Sequence, residues 1–272
     1  MKILSQLMDI LRPVRDRATS NHARIGIGVE SENPEKVVKS AKEASEFADV
    51  VLVGREEDLM GVDLEAVHDE DPSRRLVELL LSGEIDGAVR GNLGSKRTLE
   101  VLKERFGLER LYRVSLLVSS DGRPFFLAPV GIDEGETLSE RFVLAKKGCE
   151  FIERLGITPI VGVLSGGRFD DLGRSPRVDQ SLAEGEFVTA SLQRAGVDAT
   201  HYTVLVEDAI RDANFIIAPD GITGNLMYRV LVLLGGGDGL GAPVMMNHVF
   251  IDTSRAKGDY SKPIMLASAL TS

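Results

Sequence analysis

Short apolar runs alternate with longer helical patterns along most of this sequence, and this alternation limits the fold more than any other feature. The runs that predict β-strands are residues 24–29, 50–53, 86–90, 111–118, 125–127, 159–164, 200–205, 215–218 and 243–251. Two helix starts are marked by Asn33-Pro34 and Asp71-Pro72, where a capping side chain precedes a proline suited to the first helical turn. Strands that alternate with helices predict an α/β fold with a mainly parallel sheet.

No repeat and no proline-rich or serine-rich linker divides the chain into domains. The best candidate junction is residues 128–135, where a predicted strand ends and two acidic residues and two glycines follow. A long helical pattern then begins near Leu138. We place the domain change at this junction.

Composition limits which kinds of molecule this protein can bind and in which cellular compartment it can reside. The chain has 42 acidic and 32 basic residues among 272, a formal charge of -10, which disfavours binding to nucleic acid. The single cysteine, Cys149, excludes an internal disulfide and a zinc site built from several cysteines, and it fits a reducing cytoplasm.

Membrane insertion is also disfavoured. The best apolar run, Val230 to Leu234, ends in three glycines and is far shorter than the roughly 18 residues of a membrane span. Near the start of the chain, Ile3, Leu7 and neighbouring apolar residues predict a short amphipathic helix that stops at Pro13. The sequence therefore predicts a cytoplasmic protein with no membrane partner.

Four segments that follow predicted strands carry the residues from which an anion site could be built, because backbone amides and helix starts gather at the carboxyl ends of strands. The first segment, residues 86–97, is a strand, a glycine turn and a helix start. Its candidate binding residues are Arg90, Gly91, Asn92, Ser95 and Arg97. An ordinary turn with solvated charges explains it about as well.

The second segment, residues 218–229, is again a strand, a tight turn and a helix. Asp220, Gly224 and Asn225 are its candidate binding residues, since glycine permits a close backbone approach and asparagine offers an amide. A purely structural turn at Asp220-Gly221 is the competing interpretation.

The third segment begins at Ser165 and holds Arg168, Arg174 and Arg177, whose forked guanidinium groups suit phosphate or carboxylate. The role of this arginine-rich loop stays open.

The fourth segment follows the last strand. Its candidate residues are Ser254, Arg255, Asp259 and Ser261, and taken alone it could be a capped helix start.

Several other patterns carry less weight. Residues 237–242 match a dinucleotide fingerprint in letters, but they follow a helix and precede a strand, so we interpret them as a helix-to-strand loop. Residues 24–30 lack the tight glycine turn of an adenosylmethionine loop. The four histidines have no metal-ligand spacing, and we expect surface or core positions for them and no metal site. They are His22, His68, His201 and His248.

The second and fourth segments, taken together, resemble the C-terminal half of the phosphate acetyltransferase and phosphate butyryltransferase family. The similar stretches are Phe215 to Asp220 followed by Gly224-Asn225, and then Thr253-Ser254-Arg255. Residues 86–95 resemble the substrate loop of that family. More narrowly, residues 165–186 resemble the MtxX group, methanogenesis marker protein 4, which occurs in methanogenic archaea and is described as methyltransferase-related.

The resemblance implies an isocitrate/isopropylmalate dehydrogenase-like fold of the phosphate acyltransferase type, with three αβα layers and two α/β domains around a cleft. Residues 1–133 plus 250–272 would form the first domain and residues 134–249 the second. It also implies a homodimer and no tightly bound cofactor, with coenzyme A or a related anionic coenzyme as a substrate.

The resemblance further implies residue roles. Arg255 would neutralise a phosphate, Ser254 and Ser95 would hydrogen-bond it, and Gly224-Asn225 would approach it through the backbone. Ser165 would line the same cleft. Acetyltransferases place an aspartate, a candidate base for the thiol, where this chain has Ser261; the butyryl branch also has serine there, and Asp259 is near in sequence.

Other departures leave the reaction open. The Asp-Gly-Pro element of the family is replaced at residues 204–208, and its usual arginine after the substrate loop is absent, with Lys96 and Arg97 close by. We expect a transferase that acts on a phosphate- or coenzyme-bearing small molecule. The alternative is a non-catalytic subunit of methyl transfer with a methyltransferase partner protein, and an adenosylmethionine-dependent enzyme ranks third.

Overall fold

The computed structural model describes residues 10–256 and 258–271. The strands are β1 (Ala23–Gly28), β2 (Ala48–Gly54), β3 (Ala66–His68), β4 (Gly87–Val89), β5 (Ser115–Val118), β6 (Pro124–Ala128), β7 (Ile160–Leu164), β8 (Asp198–Thr203), β9 (Phe215–Ile217), β10 (Asp238–Pro243) and β11 (Val249–Asp252). The α-helices are α1 (Leu11–Asn21), α2 (Pro34–Glu43), α3 (Pro72–Ser82), α4 (Ser95–Phe106), α5 (Leu138–Arg154), α6 (Pro176–Arg194), α7 (Val206–Asp212), α8 (Gly221–Arg229) and α9 (Ser261–Leu270). No helix in the described ranges is long and apolar enough to cross a membrane.

Two compact units divide the chain. Arg12–Leu111 and Leu240–Ser272 form one of them, which we call the terminal unit, and Tyr112–Gly239 is the body of the other, the central unit. The predicted boundaries after residues 133 and 249 lie later than these divisions. The β5–β6 hairpin, which the prediction assigned to the first domain, belongs to the central unit because β6 pairs with β9.

The sheet of the terminal unit has the strand order β3-β2-β1-β4-β11-β10. Its neighbours are parallel except β10 and β11, which are antiparallel. Apolar side chains from the sheet and from α3 and α4 form its core, with Leu76, Leu80 and Phe250 almost completely buried. Residues Pro263 to Ala269 of α9 are also all buried, so the end of the chain is an integral part of this unit.

The sheet of the central unit has the order β5-β6-β9-β7-β8, with an antiparallel β5–β6 hairpin and parallel neighbours elsewhere. Phe125, Phe126 and Phe215 are buried in its core. Gly148 of α5 lets that helix approach β9 closely, since a Cβ atom there would lie 2.3 Å from the ring of Phe215. Mixed α/β units with mainly parallel sheets confirm the predicted fold class.

Local sequence signals explain where the helices begin. The carboxylate of Asp71 accepts a hydrogen bond from the Arg74 amide at 3.2 Å at the start of α3, and Pro72 takes the first helical position, as predicted. At α5 the Thr137 hydroxyl accepts from the Glu140 amide at 3.2 Å and the Glu140 carboxylate accepts from the Thr137 amide at 3.3 Å. This reciprocal capping box fixes the predicted helix start near Leu138.

Several element predictions were wrong. The single strand predicted at 243–251 is the turn between two strands, because β10 ends at Pro243 and the chain reverses before β11. Residues 237–242, interpreted as a loop, lie mostly in β10, where glycines hide the strand pattern. The first helix runs through Pro13, which fits its first turn. The part of the predicted amphipathic helix before residue 10 lies outside the described residues.

Candidate functional site

A buried ion pair anchors the turn after β4 to the end of β11. Arg90 is 4% exposed, and its Nε donates to Oδ1 of Asp252 at 2.5 Å. Its Nη1 donates to the carbonyl of Leu93. Buried guanidinium and carboxylate groups are retained only when they are paired in this way. Arg90 therefore holds the first predicted segment against the fourth, and its contact with a ligand stays a prediction.

Gly91 and Asn92 bind the same turn to the loop after β1. Gly91 has φ +63°, and a Cβ atom there would lie 2.0 Å from the carbonyl oxygen of Gly28, so only glycine fits. The side-chain oxygen of Asn92 accepts from the Glu30 amide at 2.8 Å, and its Nδ2 donates to the carbonyls of Glu30 (2.9 Å) and Glu32 (2.7 Å). Both residues join two loops at the carboxyl ends of β1 and β4.

Ser95 and Arg97 lie at the start of α4 and are exposed. Nη2 of Arg97 lies 2.5 Å from the carboxylate of Asp71 at the start of α3. This ion pair neutralises much of the positive charge of Arg97. Burial raises the pKa of Asp71, but the Arg97 side chain and the Arg74 amide outweigh that effect and hold it below its ordinary value. Ser95 has no side-chain hydrogen bond among the described residues and faces solvent.

In the segment after β11, Thr253 is buried and the residues that follow it are progressively more exposed. The Thr253 hydroxyl donates to the carbonyl of Gly91 at 2.7 Å, which ties this segment to the first one. The Ser254 hydroxyl accepts from the Ala256 amide at 3.3 Å. Arg255 is half exposed, and its Nη1 lies 3.9 Å from the carboxylate of Glu30, a long and solvent-screened contact. Of Arg90, Arg97 and Arg255, the three predicted binding arginines of the terminal unit, Arg255 has the weakest ion pair.

Arg255 lines a cavity of about 20 Å³, enough for one water-sized group. The other lining residues are Glu32, Asn33, Lys36, Asn92 and Tyr260. Lys36 makes no ion pair within the described ranges. Sequence reasoning missed Lys36 and Tyr260, although Lys36 lies in the first turn of a helix whose start was predicted correctly.

Asp259 and Ser261 lie together at the start of α9. Oδ1 of Asp259 accepts from the Ser261 amide at 2.8 Å and from the Ser261 hydroxyl at 2.6 Å. Between them, the amide of Tyr260 donates to the Ser40 hydroxyl at 2.9 Å, and burial raises the pKa of the Tyr260 phenol. The structure therefore joins two candidate catalytic residues by a direct hydrogen bond.

The second predicted segment belongs to the central unit and is occupied by structural contacts. Asp220 caps α8 by accepting from the Thr223 amide at 2.7 Å. A Cβ atom on Gly224 would lie 1.9 Å from the carbonyl oxygen of Pro129, and Nδ2 of Asn225 donates to the carbonyl of Val130 at 2.9 Å. Gly224 and Asn225 pack α8 against the loop after β6, and this packing explains the presence of both residues without a ligand. Their ligand contacts stay predictions.

The third segment contains an arrangement that the sequence did not reveal. Ser165 is buried at the end of β7, and its Oγ lies 2.9 Å from Nε2 of His201 at the neighbouring strand β8. Nδ1 of the same ring lies 2.7 Å from the carboxylate of Glu186 on α6. His201 was predicted to have only a surface or core position. The available signal was that residues 159–164 and 200–205 were both predicted strands, whose ends meet if the strands are neighbours.

A pocket of about 310 Å³ opens beside Ser165 within the central unit. Its walls are mostly apolar, and its polar lining residues include Ser181, Asp220, Thr223 and Arg177. The guanidinium of Arg177 makes no ion pair in the part of the chain that the structure describes. In the same loop, Arg174 contacts Asp171 at 2.6 Å. No group of three or more potential metal ligands occurs among the described residues.

Comparison with known proteins gives two kinds of similarity. The chain is 52% identical over 267 residues to the "Putative methyltransferase mtx subunit X" of Methanosarcina acetivorans, covering 96% of this chain and 95% of the relative. It is 37% identical over 254 residues to an uncharacterized methyltransferase of Methanopyrus kandleri, covering 91% of this chain and 98% of that one. No protein-family model matches it.

Solved structures share its fold. A branched-chain phosphotransacylase from Enterococcus faecalis matches with a TM-score of 0.71 and 20% identity, over 91% of this chain and 99% of that chain. A phosphotransacetylase from Streptococcus pyogenes matches with a TM-score of 0.69 and 18% identity, over 96% and 97%. These likenesses confirm the fold type that the sequence motifs implied, and the 52% identity to the Methanosarcina relative confirms the resemblance to the MtxX group.

Proposed function

Because the chain belongs to the mtx subunit X family of methanogens and has the phosphotransacylase fold, we propose that it is a transferase for a phosphate- or coenzyme-bearing small molecule. The ligand binds at the carboxyl ends of β4 and β11, in the terminal unit. The observation that carries this proposal is the state of Arg255. The charge of Arg90 is neutralised by a buried ion pair with Asp252. Arg255, in contrast, is half exposed and lies 3.9 Å from its nearest carboxylate, so its guanidinium can still pair with an anionic ligand.

The anchoring below Arg255 supports a prepared site. The Arg90–Asp252 pair and the Thr253 hydroxyl fix the backbone that leads into Ser254 and Arg255. Groups held by a rigid frame stabilise charge without having to reorganise during the reaction, which is where electrostatic catalysis gains most. Arg255 would neutralise the phosphate, and the hydroxyls of Ser254 and Ser95 would donate hydrogen bonds to its oxygens.

The reaction that fits this site is acyl transfer between phosphate and a thiol. The thiol sulfur of coenzyme A attacks the carbonyl carbon of an acyl phosphate, and the carbon–oxygen bond to phosphate breaks. The thiol proton passes to the carboxylate of Asp259, which the hydroxyl of Ser261 orients from 2.6 Å. Arg255 takes up the negative charge of the departing phosphate. The products are an acyl thioester and inorganic phosphate.

The test is phosphate-dependent thiol release from acetyl- and butyryl-coenzyme A, with wild type, Arg255→Ala and Arg105→Ala compared. Arg105 is a matched control, since it lies on α4 in an exposed ion pair with Glu78 at 2.5 Å. Loss of a charge-assisted contact of about 1.5–3 kcal/mol weakens phosphate binding roughly 10- to 150-fold in Arg255→Ala. Arg105→Ala should match wild type. Equal phosphate affinity in all three proteins would exclude Arg255 as the anion-binding residue.

A second candidate function is favoured by the names of the relatives, which describe a subunit of a methyltransferase. In that case the protein binds an anionic ligand or a methyltransferase partner without turnover. Phosphate binding with no thiol release, together with co-purification of a methyltransferase from methanogen extract, would favour this function. Saturable binding of adenosylmethionine without any response to phosphate or coenzyme A would instead indicate an adenosylmethionine-dependent enzyme.

A further inference from the structure

Ser165, His201 and Glu186 form a continuous hydrogen-bonded chain inside the central unit. In the tautomer that donates from Nδ1 of His201 to the carboxylate of Glu186, Nε2 of the same ring accepts from the Ser165 hydroxyl. The 2.9 Å contact to Nε2 is shorter than the other contact of this hydroxyl, 3.4 Å to the carbonyl of Gly167. This is the order of groups that activates a serine nucleophile in unrelated folds.

The backbone beneath the histidine departs from regular strand geometry. The pairing of β7 with β8 shifts register, so that Val163 pairs with His201 but Leu164 pairs with Thr203. Thr203 has φ +57°, a left-handed conformation that is costly for a β-branched residue, while its carbonyl accepts from the Ser165 amide at 2.7 Å. The bulge fixes the chain that carries the imidazole beside the residue that carries the hydroxyl.

The imidazole of His201 also lies in a space that its neighbours shape closely. A Cβ atom on Gly185 of α6 would lie 2.5 Å from Nε2 of His201, so a glycine in the middle of the helix leaves room for the ring. Glycine is less favourable than alanine in the interior of a helix, so its presence there has a local steric reason. On another side, the ring of Phe169 meets the imidazole edge to face, with centroids 5.5 Å apart. The histidine is therefore held in one orientation by its surroundings as well as by its two hydrogen bonds.

The pocket beside Ser165 indicates the class of substrate. Leu164, Val178, Val204, Val206 and Pro219 give it an apolar wall, and its volume of about 310 Å³ suits a short acyl chain. Arg177 lines the same pocket and makes no ion pair among the described residues, whereas Asp220, the other charged lining residue, accepts a hydrogen bond from the Thr223 amide as the cap of α8. An acyl ester or thioester with an anionic carrier matches both properties.

We propose that Ser165 is a catalytic nucleophile and His201 its general base in a second acyl-transfer centre, with Glu186 as the positioning residue. The Ser165 oxygen attacks the acyl carbonyl carbon of a thioester while Nε2 of His201 takes the hydroxyl proton. The carbon–sulfur bond then breaks, and His201 returns that proton to the leaving thiolate. Water, deprotonated by His201, attacks the acyl-serine, which releases a carboxylic acid and restores the Ser165 hydroxyl.

This centre is independent of the anion site proposed for the terminal unit. It requires no phosphate, and none of Arg255, Ser254 and Asp259 takes part in it. Acyl hydrolysis or acyl-serine formation in the absence of phosphate is its signature. Phosphate-dependent thiol release is the signature of the other site, so either proposal can fail while the other stands.

The first experiment uses a fluorophosphonate, which forms a stable bond only with an activated serine, followed by peptide mass spectrometry. In the wild-type protein we expect the adduct on Ser165 and none on Ser181, which lines the same pocket but has no histidine partner. Absence of the adduct from Ser165 in the folded wild type would overturn the proposal without reference to any variant.

Variants then assign the roles. His201→Gln should lower the labelling rate of Ser165 by about 100-fold or more, the usual contribution of a general base. The control Ser191→Ala, on α6 with Glu186, should label at the wild-type rate. Glu186→Gln should lower the labelling rate and kcat for a short-chain thioester with little change in KM, and Glu186→Asp should restore part of both. Circular dichroism checks the fold of each variant.

Gly185→Ala provides a second route to the same conclusion, because it displaces the imidazole and leaves all three groups of the centre intact. Its labelling rate should fall toward that of His201→Gln. Wild-type labelling of Ser165 in a folded His201→Gln protein or in Gly185→Ala would show that the serine does not depend on the histidine, and the proposed centre would be wrong.

Discussion

Breaking the Arg90–Asp252 pair should destabilise the terminal unit more than any surface substitution. The two side chains are 5% and 12% exposed and meet at 2.5 Å, so removing either one leaves the other as a buried charge that has lost this ion pair. Removing one member of such a pair costs about 3–5 kcal/mol. Arg90→Met keeps the unbranched apolar stem of the side chain, and the Thr253 amide, 2.9 Å from Asp252, still donates to that carboxylate. Asp252→Asn keeps the acceptor oxygen and removes the charge.

A double-mutant cycle separates the pair energy from loss of packing. The double variant contains neither charge, so its loss of stability should be smaller than the sum of the two single losses by about 2 kcal/mol or more. Urea unfolding followed by circular dichroism is the suitable assay, since the chain has no tryptophan to report by fluorescence. The refuting result is additivity of the two single effects within about 0.5 kcal/mol, which would mean that the two charges do not stabilise each other.

Three further predictions rest on separate contacts. Glu30→Gln removes the carboxylate 3.9 Å from Arg255, so phosphate measured by calorimetry should bind about two- to fivefold more tightly, the scale of an exposed ion pair; weaker or unchanged binding would contradict this. Burial raises the pKa of Cys149 to about 12, so a thiol reagent at about pH 8 should react with it only after unfolding, and rapid reaction of the native protein would contradict its inert character. Burial raises the pKa of Asp71, but its hydrogen bonds, that from Arg97 foremost, lower it overall, so its stabilising effect is complete above the unfolded pKa near 3.8 and is lost as pH falls through the folded value. Thermal unfolding of Asp71→Asn should therefore depend less on acid pH than that of wild type, and identical acid dependence would refute this.

Elements with strong local signals were predictable from the sequence. The starts of α3 and α5 follow from Asp71-Pro72 and from the capping box at Thr137, which act within a few residues and need no tertiary context. Most of the parallel strands were recognisable because strands covered on both faces are continuous apolar runs. The parallel strand β3 was missed, since it is three residues long and none of its residues is fully buried. The turn between β10 and β11 was not, since apolar residues continue through the reversal and only pairing with a partner strand shows where each strand ends.

For the candidate site, the sequence predicted the positions of residues along the chain but not their contacts. The sequence placed Arg90, Gly91 and Asn92 at the end of a strand, and the structure has them there. What each does depends on loops that are distant in the chain: Asn92 bonds to residues about sixty positions earlier and Arg90 pairs with a carboxylate 162 positions later. Spacing cannot distinguish an amide aimed at a ligand from one aimed at a carbonyl. His201 was overlooked for the same reason, since Ser165 is 36 positions away and the two meet only because β7 and β8 are neighbours.

The charges around Arg255 set a condition on any ligand that binds there. Lys36 and Arg255 bring two positive charges to a small cavity, and Glu30 and Glu32 bring two negative charges to the same loops. With no net charge, long-range attraction contributes little, so affinity for a phosphate must come from direct hydrogen bonds and from moving the exposed Glu30 carboxylate aside. Because the cavity holds only about 20 Å³, a phosphate group is too large to enter it and must be bound at its opening, which the half-exposed position of Arg255 allows.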